Sequence, residues 1–343
     1  KKRMSKFVSL GKAACSGGSS ALGYGAMGLT AFYVDKPVSD EKCMEVLKCA
    51  YDTGCRHFDT AEAYVFKSED GNVYNEAVLG KFLKTVPRDS YTVATKFRPG
   101  LWECDYDGIK ASLTASLERL GLEYVDLYYA HRVLSLDMAV AFGKVASKLK
   151  EEGLIKNVGY SEIIGAWLKE CHAITPVAAV QQEWSLLTRS LEPELVPVCK
   201  ELGVTVVAYS PLARNLLSGL TKEPPADWRA SNPRYSPENL KKNNELISKV
   251  AEIAKKYDCT AAQLSLAWLF FKAKQLGVAV VPIPGTTNLT NLADNLAATD
   301  IALSDDDMTL LEGIADQVAG DRGNSDYMAR GIESHLQTHL SSS

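Results

Sequence analysis

The sequence alternates short β-rich runs with amphipathic helices about eight times, and this alternation limits the fold more than any other feature. Near-continuous apolar strands separated by helices predict a parallel sheet covered by helices. Eight such units without an obvious linker favour an α/β fold of one domain, a (β/α)8 barrel of the TIM type at residues 21–320. Residues 1–20 would form an N-terminal extension with a possible hairpin, and residues 321–343 a C-terminal tail.

The predicted strands cover residues 21–27, 55–60, 91–97, 125–131, 155–161, 177–183, 204–210 and 278–285. The predicted helices cover residues 40–52, 75–84, 107–120, 136–152, 165–173, 192–202 and 246–256.

A doubly wound open sheet is the alternative architecture, and it requires a Gly-rich turn between the first strand and the first helix. The best match, "GYGAMGLT" at residues 23–30, is poor because its glycines lie within or beside the predicted strand. The segment at residues 211–242 is rich in Pro, Ser and Asn and is longer than an ordinary connection. Long ordered loops in barrels usually act as lids or binding loops.

Composition points to a small-molecule partner. The chain has 38 basic and 42 acidic residues, a net charge of −4 and no basic stripe, so nucleic acid is not an expected partner. Its eight cysteines lack CxxC or Cys/His spacing, which predicts reduced thiols and no metal site. The apolar stretch near the N-terminus is short and interrupted by Lys12, so we expect a cytoplasmic protein without a membrane span. The oligomeric state cannot be read from the sequence.

Four titratable side chains lie at the ends of three consecutive predicted strands. Asp59 ends the second strand and Tyr64 lies on the loop after it, Lys96 lies in "VATKF" at the end of the third, and His131 ends the fourth in "YYAHR". In a barrel these ends meet at one mouth. Any one of these residues could be structural, but four converging titratable groups indicate a functional site.

These residue types together suit the protonation of a carbonyl oxygen. The pKa of an unperturbed tyrosine is near 10, and an ammonium group such as Lys96 is expected to lower it for Tyr64. Asp59 would keep Lys96 charged, and His131 would orient the carbonyl or relay its proton. The four groups lack a hydride, which a cofactor would have to supply. A lysine on a barrel strand can also form a Schiff base, so an aldolase using Lys96 is an alternative.

The sequence also resembles the aldo-keto reductases over almost its whole length. "FDTAEAY", "ATKF" and "YYAHR" match the family segments with the Asp and Tyr, the Lys and the His. "GYSE", "VQQEWS", "AYSPLARNLLSG" and "IPGTTNLTNLADN" match its cofactor segments in order. The similarity is closest to the plant and microbial branch that includes perakine reductase and the auxin-induced-protein-like reductases.

The resemblance implies a (β/α)8 barrel that binds NADP(H) and reversibly reduces a small aldehyde or ketone. Tyr64 would be the general acid, Lys96 and Asp59 its activators, and His131 the residue that orients the carbonyl. Some members of the family are potassium-channel beta subunits, so a redox-sensing binding subunit is a further alternative.

The resemblance also implies the cofactor contacts. The nicotinamide would be held by Ser161, Glu162 and Gln181, with Tyr209 stacking on its ring, and Gly25, Ala26, Met27 and Asp59 would also contact the cofactor. The pyrophosphate would meet Ser210, Pro211, Leu212 and Arg214. The adenosine phosphate would meet Gly285, Thr286, Thr287, Asn288 and Asn291, and the adenine would meet Asp294 and Asn295.

Two positions depart from the family pattern. Asn288 and Asn291 stand where Lys and Arg usually contact the 2′-phosphate, so the preference for NADP(H) should be modest and NAD(H) remains possible. The segments "TAFYVDKP" and "VFKSEDGNVY" should line the substrate entrance. An apolar or aromatic substrate body is expected beside candidate pocket residues Phe32, Tyr33, Phe97, Trp102 and Trp184.

Overall fold

The computed structural model of the protein describes residues 7–8, 19–69, 71–221 and 223–336. Within them, eight parallel strands form one sheet in chain order from β1 to β8. These strands are β1 Tyr24–Gly25, β2 His57–Asp59, β3 Thr92–Phe97, β4 Val125–Ala130, β5 Ile155–Ser161, β6 Val177–Glu183, β7 Thr205–Tyr209 and β8 Val280–Pro282.

The sheet is buried on both faces, as expected when helices cover a parallel sheet. Alternate side chains such as Ala94, Leu127 and Val207 pack only against one another and their counterparts on the other strands. The intervening residues, such as Val93 and Val206, belong to the larger core that the helices share. Strand side chains that pack against one another curl the sheet, which is consistent with a (β/α)8 arrangement.

Helices follow the strands along the chain. They are α1 Asp40–Asp52, α2 Asn75–Leu83, α3 Tyr106–Leu120, α4 Leu136–Glu151, α5 Gly165–Ile174, α6 Leu195–Leu202, α7 Pro237–Lys255, α8 Ala261–Leu276, α9 Leu289–Ala297, α10 Asp305–Ala315 and α11 Ser325–Met328. Side-chain caps fix several of their starts: Ser39, Asp105 and Ser135 each accept a backbone N–H from the first turn of α1, α3 and α4.

The strand and helix predictions are confirmed for most units, and the differences have local causes. Helix α7 begins nine residues earlier than predicted, at Pro237, because Ser236 caps it and proline suits the first turn. Helix α8 was not predicted, since it is buried around most of its circumference and lacks a clear polar face. The last strand is shorter than predicted, because Pro284 has no backbone N–H to continue the ladder and the N–H of Val278 donates to Ala273 in α8.

The predicted insertion after β2 is an antiparallel hairpin, in which Val65–Ser68 pairs with Gly71–Tyr74. In the N-terminal extension Phe7–Val8 pairs with Ser19–Ser20, while residues 1–6, 9–18 and 337–343 lie outside the described residues. Across the described part of the chain, no helix has both the length and the apolar character needed to cross a membrane.

The first and last strands of the sheet also approach each other. The backbone N–H of Gly23 donates to the carbonyl of Pro282 at 2.9 Å, and that of Gly25 to Pro284 at 3.4 Å. A methyl group added at Gly25 would lie 2.6 Å from the carbonyl oxygen of Ile283, so only glycine allows this approach.

Candidate active site

A cavity of about 560 Å³ opens at the carboxyl ends of the strands. Of the predicted site residues, those that line it are Gly25, Met27, Phe32, Tyr33, Asp59, Tyr64, His131, Gln181, Tyr209, Ser210, Pro211, Leu212, Arg214, Gly285, Thr286 and Thr287. Those outside its lining are Ala26, Lys96, Phe97, Trp102, Ser161, Glu162, Trp184, Asn288, Asn291, Asp294 and Asn295.

Lys96 joins the predicted acid to the predicted tyrosine. Its Nζ donates to Asp59 Oδ1 at 2.5 Å, to the carbonyl of Thr60 at 2.6 Å and to Tyr64 Oη at 3.4 Å. Lys96 is fully buried and Asp59 is 2% exposed. The remaining carboxylate oxygen, Asp59 Oδ2, accepts a hydrogen bond from Gln181 Nε2 at 2.7 Å. Each charge therefore has a partner, which is what makes its burial tolerable.

His131 completes the group. Its ring lies edge to face with the ring of Tyr64, with 5.6 Å between the centroids. Burial and the neighbouring cations Lys96, Arg132 and Arg98 lower the pKa of His131 well below its usual value. The imidazole is therefore neutral at physiological pH and can donate one hydrogen bond to a ligand oxygen.

The pKa of Tyr64 is raised, whereas the sequence led us to expect that Lys96 would lower it. Burial raises it above the usual value, and the charge of Lys96 only partly opposes this. Burial alone would lower the pKa of Lys96, but Asp59 and Tyr64 raise it, so the amine stays protonated. A protonated amine is not a nucleophile, which argues against the Schiff-base alternative.

Ser161 and Glu162, predicted to hold the nicotinamide, are buried and already have partners. Ser161 Oγ accepts from Arg132 at 3.1 Å. Glu162 accepts from Arg322 at 2.6 Å and from the hydroxyl of Tyr209 at 2.6 Å. Burial alone would raise the pKa of Glu162, but chiefly Arg322, followed by Arg132, brings it down to about 2.

The loop after β7 borders the cavity in an unusual backbone conformation. Ser210, Ala213, Arg214 and Asn215 have φ values of 47°, 49°, 58° and 86°. Non-glycine residues adopt this left-handed region at a cost and do so mostly at functional sites. The carbonyl of Arg214 is held by the hydroxyl of Tyr235 at 2.7 Å and by Arg229 at 3.3 Å. The Arg214 side chain itself pairs with Glu183 at 3.0 Å.

In the segment predicted to bind the adenosine phosphate, residues 285–291, several backbone N–H groups already donate hydrogen bonds within the protein. Asn288 caps α9, and its Oδ1 accepts from the backbone N–H groups of Thr290 at 2.9 Å and Asn291 at 3.1 Å. The N–H of Asn288 donates to Thr286 Oγ1 at 3.1 Å. Asn291 is exposed, whereas Asn295 is buried.

The substrate-pocket prediction needs correction at three residues. Phe32 and Tyr33 line the cavity, but Phe97 is in the core, stacked on Phe142. Trp184 is also in the core and donates to Glu192 at 3.0 Å. Trp102 donates to Glu62 at 3.1 Å, outside the cavity lining. Sequence alone does not indicate which face of a strand or loop an aromatic ring occupies.

The cavity is also lined by residues that sequence reasoning did not select, among them Arg132, Trp228, Arg229 and Tyr327. The sequence contains a clue to the role of Arg132, because this residue directly follows His131. It contains no such clue for Tyr327, which lies in the segment predicted as a tail. Its hydroxyl lies 2.5 Å from that of Tyr209. Within the described residues, no group of three or more His, Cys, Asp or Glu side chains could hold a metal ion.

The chain is similar to known proteins in sequence and in fold. The family model described as "Aldo/keto reductase family" matches residues 21–316. Probable aldo-keto reductase 1 of Glycine max is 40% identical over 300 residues, which cover 84% of this chain and 83% of that protein.

Two solved structures show the same likeness. The thermostable aldo-keto reductase Tm1743, determined with the inhibitor epalrestat, is 30% identical with a TM-score of 0.66, and the match covers 86% of this chain and 94% of that chain. An aldo-keto reductase of Klebsiella pneumoniae, determined with NADPH, is 24% identical with a TM-score of 0.69, covering 93% and 99%. At that identity the second likeness concerns the fold alone.

Proposed function

Because the chain belongs to the aldo-keto reductase family, we propose that it catalyses the reversible, NADPH-dependent reduction of an aldehyde or ketone to an alcohol. One observation carries the proposal: Lys96 Nζ contacts both Asp59 and Tyr64, at 2.5 and 3.4 Å, beside His131 at the edge of one cavity. The arrangement offers a proton donor, a fixed positive charge and a neutral hydrogen-bond donor to one ligand oxygen.

In this scheme Tyr64 donates its phenolic proton to the carbonyl oxygen. Burial keeps the pKa of Tyr64 above its usual value, so the hydroxyl carries its proton at neutral pH. Lys96, held in its charged form by Asp59, stabilises the phenolate that remains. The neutral His131 donates a hydrogen bond that orients the carbonyl.

NADPH, when bound, would supply the hydride, and the residues around the cavity fit such a cofactor. Tyr209 offers an aromatic face at one end, and Arg214 a fixed cation in the loop after β7. Gly285 and Thr286 border the cavity after β8, where backbone N–H groups and a hydroxyl suit a phosphate. NAD(H) remains a possible second cofactor because the α9 end of the site has no Lys or Arg between residues 284 and 295.

We also infer that the sheet closes into a complete (β/α)8 barrel of one domain. The hydrogen bonds from Gly23 to Pro282 and from Gly25 to Pro284 support this, since they link β1 with β8. A cytoplasmic location belongs to the same proposal and fits the lack of any disulfide among the described cysteines.

The test is a screen of aldehydes and ketones that follows the loss of NADPH absorbance, with Tyr64→Phe as the decisive variant. We expect Tyr64→Phe to lower kcat by at least about 100-fold, because general acid catalysis contributes roughly 10²–10⁴-fold. The dissociation constant for NADPH, measured by tryptophan fluorescence, should change by only a few-fold.

Tyr51→Phe is the matched control, since it removes a phenolic hydroxyl that bonds Ser90 outside the cavity. Retained activity in Tyr64→Phe would refute the assignment. Borohydride trapping of a carbonyl compound on Lys96 would instead support the aldolase.

A further inference from the structure

Three arginine side chains line the cavity, and among the described residues only Arg132 of these three forms no salt bridge with a carboxylate. Arg214 pairs with Glu183 at 3.0 Å, and Arg229 pairs with Asp227 at 2.6 Å. Arg132 uses a single nitrogen, Nη1, to donate to two neutral oxygens, the carbonyl of His131 and Ser161 Oγ, both at 3.1 Å. Within the described part of the chain, its Nε and Nη2 donate to no protein atom.

Glu162 is the acid whose charge acts on Arg132, and its oxygens already accept hydrogen bonds from other donors. Glu162 accepts from Arg322 at 2.6 Å, from Tyr209 at 2.6 Å and from the backbone N–H of Ile332 at 3.1 Å. Both oxygens of Asp59 likewise have donors. Glu162 therefore acts on Arg132 through its charge and not through a direct hydrogen bond, and Nε and Nη2 of Arg132 stay available to an anionic ligand.

The position of Arg132 is fixed by its surroundings. Its guanidinium carbon lies 5.7 Å from the ring centroids of both Tyr209 and Tyr327. Contacts of this kind hold a cation against aromatic faces. With Nη1 tied to the protein, the edge formed by Nε and Nη2 remains, and this edge matches the two oxygens of a carboxylate.

The phosphates of the cofactor are a poor match for this edge. In the proposed function they lie at the loops after β7 and β8, where Arg214 and Gly285 are found. Arg132 follows β4, and its side chain reaches Tyr209 at the end of β7, the residue expected to stack on the nicotinamide and not on a phosphate. It also directly follows His131, the residue proposed to orient the reacting carbonyl.

We propose that Arg132 binds a carboxylate group of the substrate, so that the preferred substrates are aldehydes or ketones that also carry a carboxylate. The assignment rests on the proposed function and names the substrate class of that same site. The two free donors of Arg132 would bind the carboxylate side-on, while Tyr64 and His131 act on the carbonyl oxygen.

The experiment compares acids with their uncharged methyl esters, using 4-carboxybenzaldehyde and succinic semialdehyde as the acids. In the unaltered enzyme we expect kcat/KM to favour each acid by about 10- to 100-fold, as a charge-assisted pair supplies. Arg132→Gln should abolish this preference, mainly by raising KM for the acids, and leave the esters within a few-fold. Arg132→Lys, which keeps the charge but not the planar edge, should retain part of it.

Arg330→Gln is the control, since it removes an exposed arginine outside the cavity lining, and its acid preference should persist. Equal rates for acids and esters in the unaltered enzyme would overturn the assignment, as would equal losses for both in Arg132→Gln. Weaker NADPH binding in Arg132→Gln with the acid preference intact would instead assign the residue to the cofactor. If no ester or acid is reduced although NADPH binds, the proposed function itself fails.

Discussion

Asp59 is nearly fully buried, and each of its carboxylate oxygens has its own donor. Lys96 donates to one oxygen at 2.5 Å and Gln181 to the other at 2.7 Å. Gln181 therefore supports the ion pair in addition to facing the cavity. A buried pair of this kind contributes little net stability but is costly to break, which suits a group whose task is to fix a charge beside Tyr64.

The pKa shifts of Tyr64 and His131 predict a flat pH profile for carbonyl reduction. Tyr64 has a raised pKa and keeps its proton below that value, and His131 has a pKa well below its usual value and stays neutral above it. We expect kcat/KM to vary by less than about threefold between roughly pH 6 and pH 9, because neither group titrates there. Steady-state rates across this range, with a single uncharged aldehyde, provide the measurement. A fall in rate with an apparent pKa near 7 would show that one of the two groups does titrate in that window.

At the level of elements, the loop after β7 and the start of α9 form the outer part of the site. The loop is held in its left-handed conformation by contacts to Tyr235 and Arg229. Helix α9 is capped by Asn288, so the two backbone N–H groups bound by that side chain are not free for a phosphate. The preference for NADPH over NADH should therefore be smaller than the roughly 10²-fold that one or two desolvated cationic contacts could supply.

Asn291→Arg is the variant that should strengthen NADPH binding. Asn291 is exposed on the first turn of α9, and an arginine there could pair with the 2′-phosphate. We expect NADPH to bind more tightly by about 1–2 kcal/mol in a salt-sensitive way, with NADH nearly unchanged. Asn288→Lys should give a smaller gain, because it loses a helix cap worth about 1 kcal/mol. Fluorescence titration of both cofactors at low and high salt measures the effect.

Ala293→Arg is the control for this helix, since it adds the same charge two residues further on, on a different face. A preference of many hundredfold in the unaltered protein would mean that a cation elsewhere reaches the phosphate. Arg322 is not a candidate, because its side chain is 2% exposed and bound to three carboxylates.

At the scale of the whole molecule, the end of the chain packs onto the carboxyl ends of the strands. Arg322 pairs with Glu162 at 2.6 Å, Glu183 at 3.2 Å and Glu333 at 2.8 Å. Glu162 directly follows β5 and Glu183 ends β6, so one side chain from the segment predicted as a tail joins two neighbouring strands. The described part of that segment, residues 321–336, is thus part of the wall of the site.

Arg322→Met should destabilise the whole protein. The substitution leaves two buried carboxylates and one half-buried carboxylate without this partner, and breaking a buried ion pair typically costs about 3–5 kcal/mol. We expect the free energy of unfolding in urea to fall by at least about 3 kcal/mol. Lys48→Met, which breaks an exposed pair with Asp52, should change it by less than about 0.5 kcal/mol. If both variants unfold at the same urea concentration as the unaltered protein, the ion pairs of Arg322 do not contribute to the free energy of unfolding.

Local patterns in the sequence were sufficient to predict the features that depend on neighbours along the chain. Periodicity gave the bounds of β5, β6 and α1 as the structure has them, because each periodic pattern reflects one buried face of one element. The rule that active residues lie at strand ends then brought together Asp59, Tyr64, Lys96 and His131, since alternating strands and helices leave little freedom in topology.

The pairing of distant side chains and the depth of their burial depend on the packing of the whole molecule. Glu162 and Arg322 are 160 residues apart, Asp59 and Gln181 are 122 apart, and Tyr209 and Tyr327 are 118 apart. No local pattern selects one such partner from the many acids, bases and hydroxyls of the chain. The pKa of Tyr64 shows the same limit: its sign depends on whether burial or the charge of Lys96 has the larger effect, and burial is a property of the packed molecule.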